Sequence, residues 1–122
     1  MQPLSVVVLQ NNSANAKSLV KSLDYHFRVV NVVRNMDELT RAIPRHSADV
    51  AIVDLEFASL DDVRRLRKEF PGASIVCMHR LADERMWIEA VAAGAVDCCA
   101  SSDVRAIVLA ASKIPPLSHS AA

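Results

Sequence analysis

Short apolar runs alternate five times with longer stretches whose apolar residues recur three and four positions apart. The runs are rich in β-branched residues, as is typical of strands buried on both faces, whereas the wider spacing predicts amphipathic helices. The predicted strands are residues 4–9, 27–33, 48–53, 73–78 and 95–100. The predicted helices are one capped within residues 11–13 and carrying Leu19, Val20 and Leu23, then residues 36–46, 59–70 and 83–93, and one capped by Ser102 or Asp103 that ends near residue 112. This alternation predicts a parallel sheet covered by helices on both faces.

Composition narrows the class of protein. The 122 residues fit one domain, and 14 basic residues balance 14 acidic ones, so no overall field attracts nucleic acid or a membrane. Three cysteines, two of them adjacent, favour reduced thiols and a cytoplasmic location over a disulfide framework. We expect no membrane association, because no apolar run approaches the roughly 18 residues of a membrane span and the N-terminus does not resemble a signal peptide.

Polar residues follow the predicted strands at the edge of the sheet where ligands and chemistry gather in such folds. They are Gln10, Asn11, Asp54, His79, Arg80 and Ser101. Asp54 follows the apolar run Ala-Ile-Val and is the acid in this set. It is either a reactive group or an aspartate that caps the turn, and its position alone does not decide between the two.

Two segments resemble the receiver domain of bacterial response regulators. One is Val53-Asp54-Leu55, and the other is LADERMWIEAVAAGAVD at residues 81–97, which is similar to the fourth helix of that family. The resemblance covers residues 4–113. It implies an α/β, flavodoxin-like (βα)5 three-layer sandwich with strand order 2-1-3-4-5, and it places Asp54 at the position that accepts a phosphoryl group.

The rest of the receiver chemistry is replaced. Gln10 and Asn11 stand where the family has two Mg²⁺-binding acids, His79 stands where it has threonine or serine, Ser101 stands where it has lysine, and Cys98 stands where it has an aromatic switch residue. Phosphoryl transfer depends on neutralising oxygen charge, and both neutralisers, metal and lysine, are replaced here. We therefore expect a degenerate receiver, or pseudo-receiver, with no metal, no cofactor and no enzymatic activity. The alternatives are a conventional phosphoacceptor modified on Asp54 and a flavodoxin-like small-molecule binder, although the sequence has no glycine-rich phosphate loop.

Two further groups of residues carry expectations. A carboxylate at a strand end must be solvated, hydrogen-bonded or paired, and the candidate partners of Asp54 are His79 or Arg80, with Asn11 and Ser101 as neutral donors. Asp54 is then structural, and Asp54→Asn is expected to cost about 1 kcal/mol. Cys98 and Cys99 are interpreted as core residues rather than oxidant sensors, and the basic residues within 64–68 as a solvated helix face.

The apolar run Met86-Trp87-Ile88 cannot point wholly inward from a helix, so part of it, with Trp87 first, should be exposed. Met86 and Trp87 therefore form a candidate surface for a protein partner or a homodimer, on the face made by the fourth helix, fifth strand and fifth helix. The alternative is that Trp87 folds over a neighbouring helix.

The domain is expected to span residues 1–113, with residues 114–122 as a linker. The segment PPLSHSAA resembles the one that follows receivers in LuxR-type helix-turn-helix regulators. This implies transcription control through an output domain not in this chain, which would make any DNA contact. Whether a histidine kinase is a partner stays open.

Overall fold

The computed structural model describes residues 2–11 and 13–113. Their elements are β1 Gln2–Leu9, α1 Ser13–His26, β2 Phe27–Val33, α2 Met36–Arg45, β3 Val50–Asp54, α3 Leu60–Glu69, β4 Ser74–His79, α4 Glu84–Ala93, β5 Asp97–Ala100 and α5 Val104–Ser112. The five strands are parallel and ordered β2-β1-β3-β4-β5, which confirms the predicted fold. The proposed linker lies outside the described residues, as does Asn12, one of the proposed caps of the first helix.

Two apolar clusters, one on each face of the sheet, hold the layers together. Alternate residues of each central strand point to opposite faces, so Val7 and Val53 pack in one cluster and Val8 and Ile52 in the other. The first cluster includes residues of α2, α3 and α4, and the second includes residues of α1 and α5. Because both faces are covered, the central strands are apolar throughout rather than alternating.

Side-chain caps determine where the helices begin. Asn35, Ser59, Asp83 and Asp103 each accept a hydrogen bond from the backbone N–H three residues ahead. Ser59 and Asp62 form a reciprocal capping box. The last helix is therefore capped by Asp103 and not by Ser102.

The boundaries agree with the predictions to within two residues. Three strands begin two residues from the predicted position: β1 at Gln2 rather than at Leu4, β3 at Val50 rather than at Ala48, and β5 at Asp97 rather than at Ala95. Ala95 instead donates its N–H to the Ala90 carbonyl at the end of α4. At β3 the difference affects the site, because Asp54 is the last residue of the strand and pairs in register with Met78.

Candidate functional site

Asp54 is buried at the carboxyl edge of the sheet. It is the last residue of β3, and only 1% of its surface is exposed. Leu9 is in register with Val53, so the residues that follow, Gln10 and Asp54, lie side by side. Gln10 Nε2 donates a 2.9 Å hydrogen bond to Asp54 Oδ2, and the Glu56 backbone N–H donates one of 2.9 Å to Oδ1. Each carboxylate oxygen therefore has a donor.

The electrostatic setting disfavours the charged carboxylate. Burial raises the pKa of Asp54 above its usual value, and the nearby Glu56 charge raises it further. The hydrogen bonds from the Glu56 N–H and from Gln10, together with the proximity of His79, act to lower the same pKa without reversing the shift. The net effect is a raised pKa, as expected for a buried carboxyl group with little positive charge nearby.

Neither predicted cation pairs with Asp54. The half-buried His79 ring accepts a 3.0 Å hydrogen bond at Nδ1 from the Leu81 N–H, so this nitrogen is bonded within the loop that follows β4. Arg80 is exposed and forms a 3.1 Å ion pair with Glu56. The expectation that one of them holds Asp54 is wrong, because His79 is bonded to Leu81 in the loop after β4 and Arg80 is paired with Glu56 in the loop after β3.

The two proposed neutral donors are also not the partners of Asp54. Asn11 is exposed, and Ser101 contributes its backbone N–H to the His79 carbonyl at 3.1 Å. The donor is Gln10, which the sequence placed in the pocket only as a replaced metal ligand. The sequence signal that could have identified Gln10 is an amide at the end of the strand next to the acid. Both side chains need a hydrogen-bond partner once they are buried.

The residues at this edge do not fit a magnesium ion. Mg²⁺ requires several oxygen ligands, normally including carboxylates, in near-octahedral geometry. Here the Gln10 side chain presents its N–H groups, not its oxygen, to Asp54 Oδ2. Among the described residues, no group of three or more His, Cys, Asp or Glu side chains could hold a metal.

Cys98, interpreted from sequence as the equivalent of the switch residue, is buried beside Cys99 on β5. Burial raises the pKa of the Cys98 thiol to about 11 and that of Cys99 to about 12, with nearby acids adding to both shifts. Thiols that stay protonated at neutral pH are poor nucleophiles, and the two cysteines face opposite clusters of the core. Both act as core residues, as predicted.

The exposed apolar residues of α4 form a second candidate site, here called the α4 patch: Trp87, Ile88 and Val91. Trp87 is 44% exposed and Ile88 54%, while Met86 packs against the core. Trp87 Nε1 donates a 2.9 Å hydrogen bond to Asp97 Oδ1, which fixes the indole over the start of β5. The predicted exposure of Trp87 is confirmed, and Met86 is the inward residue of the run.

Comparison with solved structures places this geometry among known folds. The signal receiver domain of the response regulator NarL from Mycobacterium tuberculosis aligns with a TM-score of 0.76 and 17% identity, over 93% of this chain and 100% of that one. A response regulator protein from Burkholderia pseudomallei with a phosphorylated aspartic acid, calcium ion and citrate aligns with a TM-score of 0.77 and 24% identity, over 97% and 71%. The chain has the fold of response-regulator receiver domains. A LuxR-family two-component response regulator from Aurantimonas sp. shares this receiver fold, with a TM-score of 0.75 and 14% identity over 98% and 94% of the chains.

Sequence comparison adds no closer relative. No protein-family model matches the chain, and no curated protein matches it. None of the described helices is long and apolar enough to cross a lipid bilayer.

Proposed function

We propose that this chain is a degenerate receiver domain that signals through protein contacts without being phosphorylated. The observation that carries the proposal is the hydrogen bond from Gln10 to the buried carboxylate of Asp54. In a phosphoacceptor, an attacking carboxylate oxygen must be accessible and the transferred oxygens must meet positive charge. Here Oδ2 faces an amide, Oδ1 faces a backbone N–H, and His79 and Arg80 both have other partners.

The α4 patch supports a role in protein contacts. Large apolar side chains at the surface, and tryptophan above all, are typical anchors of interfaces. Trp87 and Val91 lie one helical turn apart and Ile88 lies beside them, so the three cover one continuous strip of α4. The partner is a second copy of the chain or another protein, and contact does not depend on any change at Asp54.

Control of transcription is the proposed output. Two observations support it: residues 115–122 resemble the segment that follows receivers in LuxR-type regulators, and solved LuxR-family response regulators share the fold. DNA binding then belongs to a domain joined after residue 113. Neither a cofactor nor an enzymatic step is part of this function.

The test is whether acetyl phosphate with millimolar Mg²⁺ adds a phosphoryl group, measured by intact-protein mass spectrometry. The wild type should remain unmodified. The comparison is the triple variant Gln10→Asp/Asn11→Asp/Ser101→Lys, which introduces two acids and a lysine. It tests whether these three changes give the chain a phosphorylation that depends on Mg²⁺. A wild-type protein that gains a phosphoryl group lost in Asp54→Asn would overturn the proposal and establish the conventional phosphoacceptor.

A further inference from the structure

An open groove of about 750 Å³ lies between helix α1 and the edge strand β2. It reaches the carboxyl edge of the sheet at Gln10, and Asp54 is not among the residues that line it. Its volume is in the range of pockets that take small organic ligands. Gln10 and Asn11 belong both to this groove and to the set of polar residues predicted at the receiver edge, whereas the other residues that line the groove belong neither to that set nor to the α4 patch.

Three cations line the groove. Lys17 and Lys21 are one helical turn apart on α1, and Arg34 follows the end of β2 across the groove. All three are exposed, and none forms an ion pair with a described residue. One acid, Asp24, also lines the groove. The groove thus carries an excess of positive charge in a chain whose formal net charge is zero.

Two valines give the groove an apolar floor. Val32 is 41% exposed although it lies on a strand, and Val20 of α1 is half-buried opposite it. Val30, two residues before Val32 and therefore on the same face of β2, packs against the cluster under α1. The floor therefore continues the apolar cluster under α1 out to the surface, where part of it is exposed to solvent.

We propose that this groove binds a small amphipathic anion. Its carboxylate, sulfonate or phosphate group pairs with Lys17, Lys21 and Arg34, and its apolar or aromatic body covers Val20 and Val32. Charge alone would suit any anion, and apolar surface alone would suit any hydrophobic molecule. The combination selects a ligand with both parts. Because Gln10 lies at the end of the groove and also bonds Asp54, the ligand would sit one side chain away from the receiver edge.

The experiment uses 1-anilinonaphthalene-8-sulfonate as the probe and follows its fluorescence at low ionic strength. N-phenyl-1-naphthylamine is the matched neutral compound, since it has the same aromatic body without the sulfonate. Sulfate and inorganic phosphate, added as competitors, test the anionic group without the body. We expect saturable binding of the sulfonate, much weaker binding of the neutral compound, and weak displacement by either inorganic anion.

The variant Lys21→Gln/Arg34→Gln should weaken binding by about tenfold, because each exposed charge pair contributes a factor of a few. The control Lys68→Gln/Arg105→Gln removes the same charge from exposed sites elsewhere and should leave affinity unchanged. Val32→Asp should abolish binding by placing an acid in the floor.

Backbone amide shifts locate the probe. Shifts centred on residues 17–24 and 32–34 support the proposal. Equal loss in both charge variants, equal affinity for the neutral compound, or shifts centred on the α4 patch would each overturn it. Failure here would leave the proposed receiver function untouched, because phosphorylation of Asp54 is measured separately.

Discussion

Gln10 and Asp54, neighbours at the ends of adjacent strands, are joined by a 2.9 Å hydrogen bond between buried side chains. In the receiver function proposed above, the amide stands at the position of a metal-binding acid. Replacing that acid does more than remove a ligand, because it supplies a donor to the remaining carboxylate. With the Glu56 backbone N–H on the other oxygen, both carboxylate oxygens of Asp54 then have a hydrogen-bond donor from the protein.

Gln10→Leu should lower the free energy of unfolding by about 1–3 kcal/mol at pH 7, because it leaves a buried carboxylate oxygen without its donor. Chemical denaturation measures the change. Asn11→Ala, at the exposed neighbouring amide, is the control and should stay within about 0.5 kcal/mol of wild type. Gln10 has further contacts, so the pairwise part comes from a double-mutant cycle with Asp54→Asn. Additive effects of the two changes would contradict the pairing.

The raised pKa of Asp54 fixes the sign of a pH effect. Between the unfolded pKa, near 3.8, and the higher folded pKa, the folded protein binds more protons than the unfolded chain. Stability therefore falls as pH rises through that window, and the loss persists at neutral pH. Asp54→Asn removes this penalty, so the variant should be at least as stable as wild type at pH 7, with the difference shrinking toward pH 4. This reverses the sign expected from sequence, which assumed that His79, Arg80 or one of the neutral donors Asn11 and Ser101 holds Asp54.

Two measurements check this prediction. Urea denaturation of both proteins at pH 7 and near pH 4 gives the difference in unfolding free energy, and carbon NMR of the carboxyl group gives the pKa directly. A midpoint for Asp54 below 3.8, with a variant less stable at pH 7, would show that a cation does hold the carboxylate.

The architecture could be predicted from sequence because its signals are local. β-branched runs, capping side chains and Gly94 mark most element ends, and a (βα)5 alternation leaves few topologies. The start of β5 was less predictable, since Ala95 and Val96 are as apolar as the strand itself. The hydrogen bond from the Ala95 N–H to the Ala90 carbonyl assigns Ala95 to the end of α4, and hydropathy does not predict that bond.

The site could be predicted as a set of positions but not as a set of contacts. Strand ends fix which residues share the edge, so Gln10, Asp54 and His79 were expected there. Which of them bond depends on rotamers and on competing partners. The Leu81 N–H donates a hydrogen bond to His79, and Arg80 forms an ion pair with Glu56. Neither partner can be predicted from spacing along the chain.

Gly94 tests the end of α4. Its φ of 119° is strained for other residues, and a Cβ there would lie 2.7 Å from Arg67 Cγ and 2.9 Å from Arg67 Cβ. Gly94→Ala should therefore lower the free energy of unfolding by about 1–3 kcal/mol. Gly72→Ala is the matched control, because a Cβ at Gly72 meets nothing within 4 Å, and it should change stability by less than about 0.5 kcal/mol. Equal effects in thermal or chemical denaturation would contradict this account of the turn.

The α4 patch gives the last prediction. Ile88 is 54% exposed, so Ile88→Ser should leave the fold intact and weaken contact with a second copy of the chain. Tyr25→Ser is the control, since Tyr25 is 79% exposed on α1 and lies outside the patch. Trp87→Ala should weaken association more, by about 2 kcal/mol if the indole is an anchor. Sedimentation equilibrium of the wild type and the three variants, without phosphoryl donor, measures the association constants. A wild type that stays monomeric at high concentration would exclude the second copy and leave a different protein as the partner. Association lost equally in Tyr25→Ser would place the contact elsewhere.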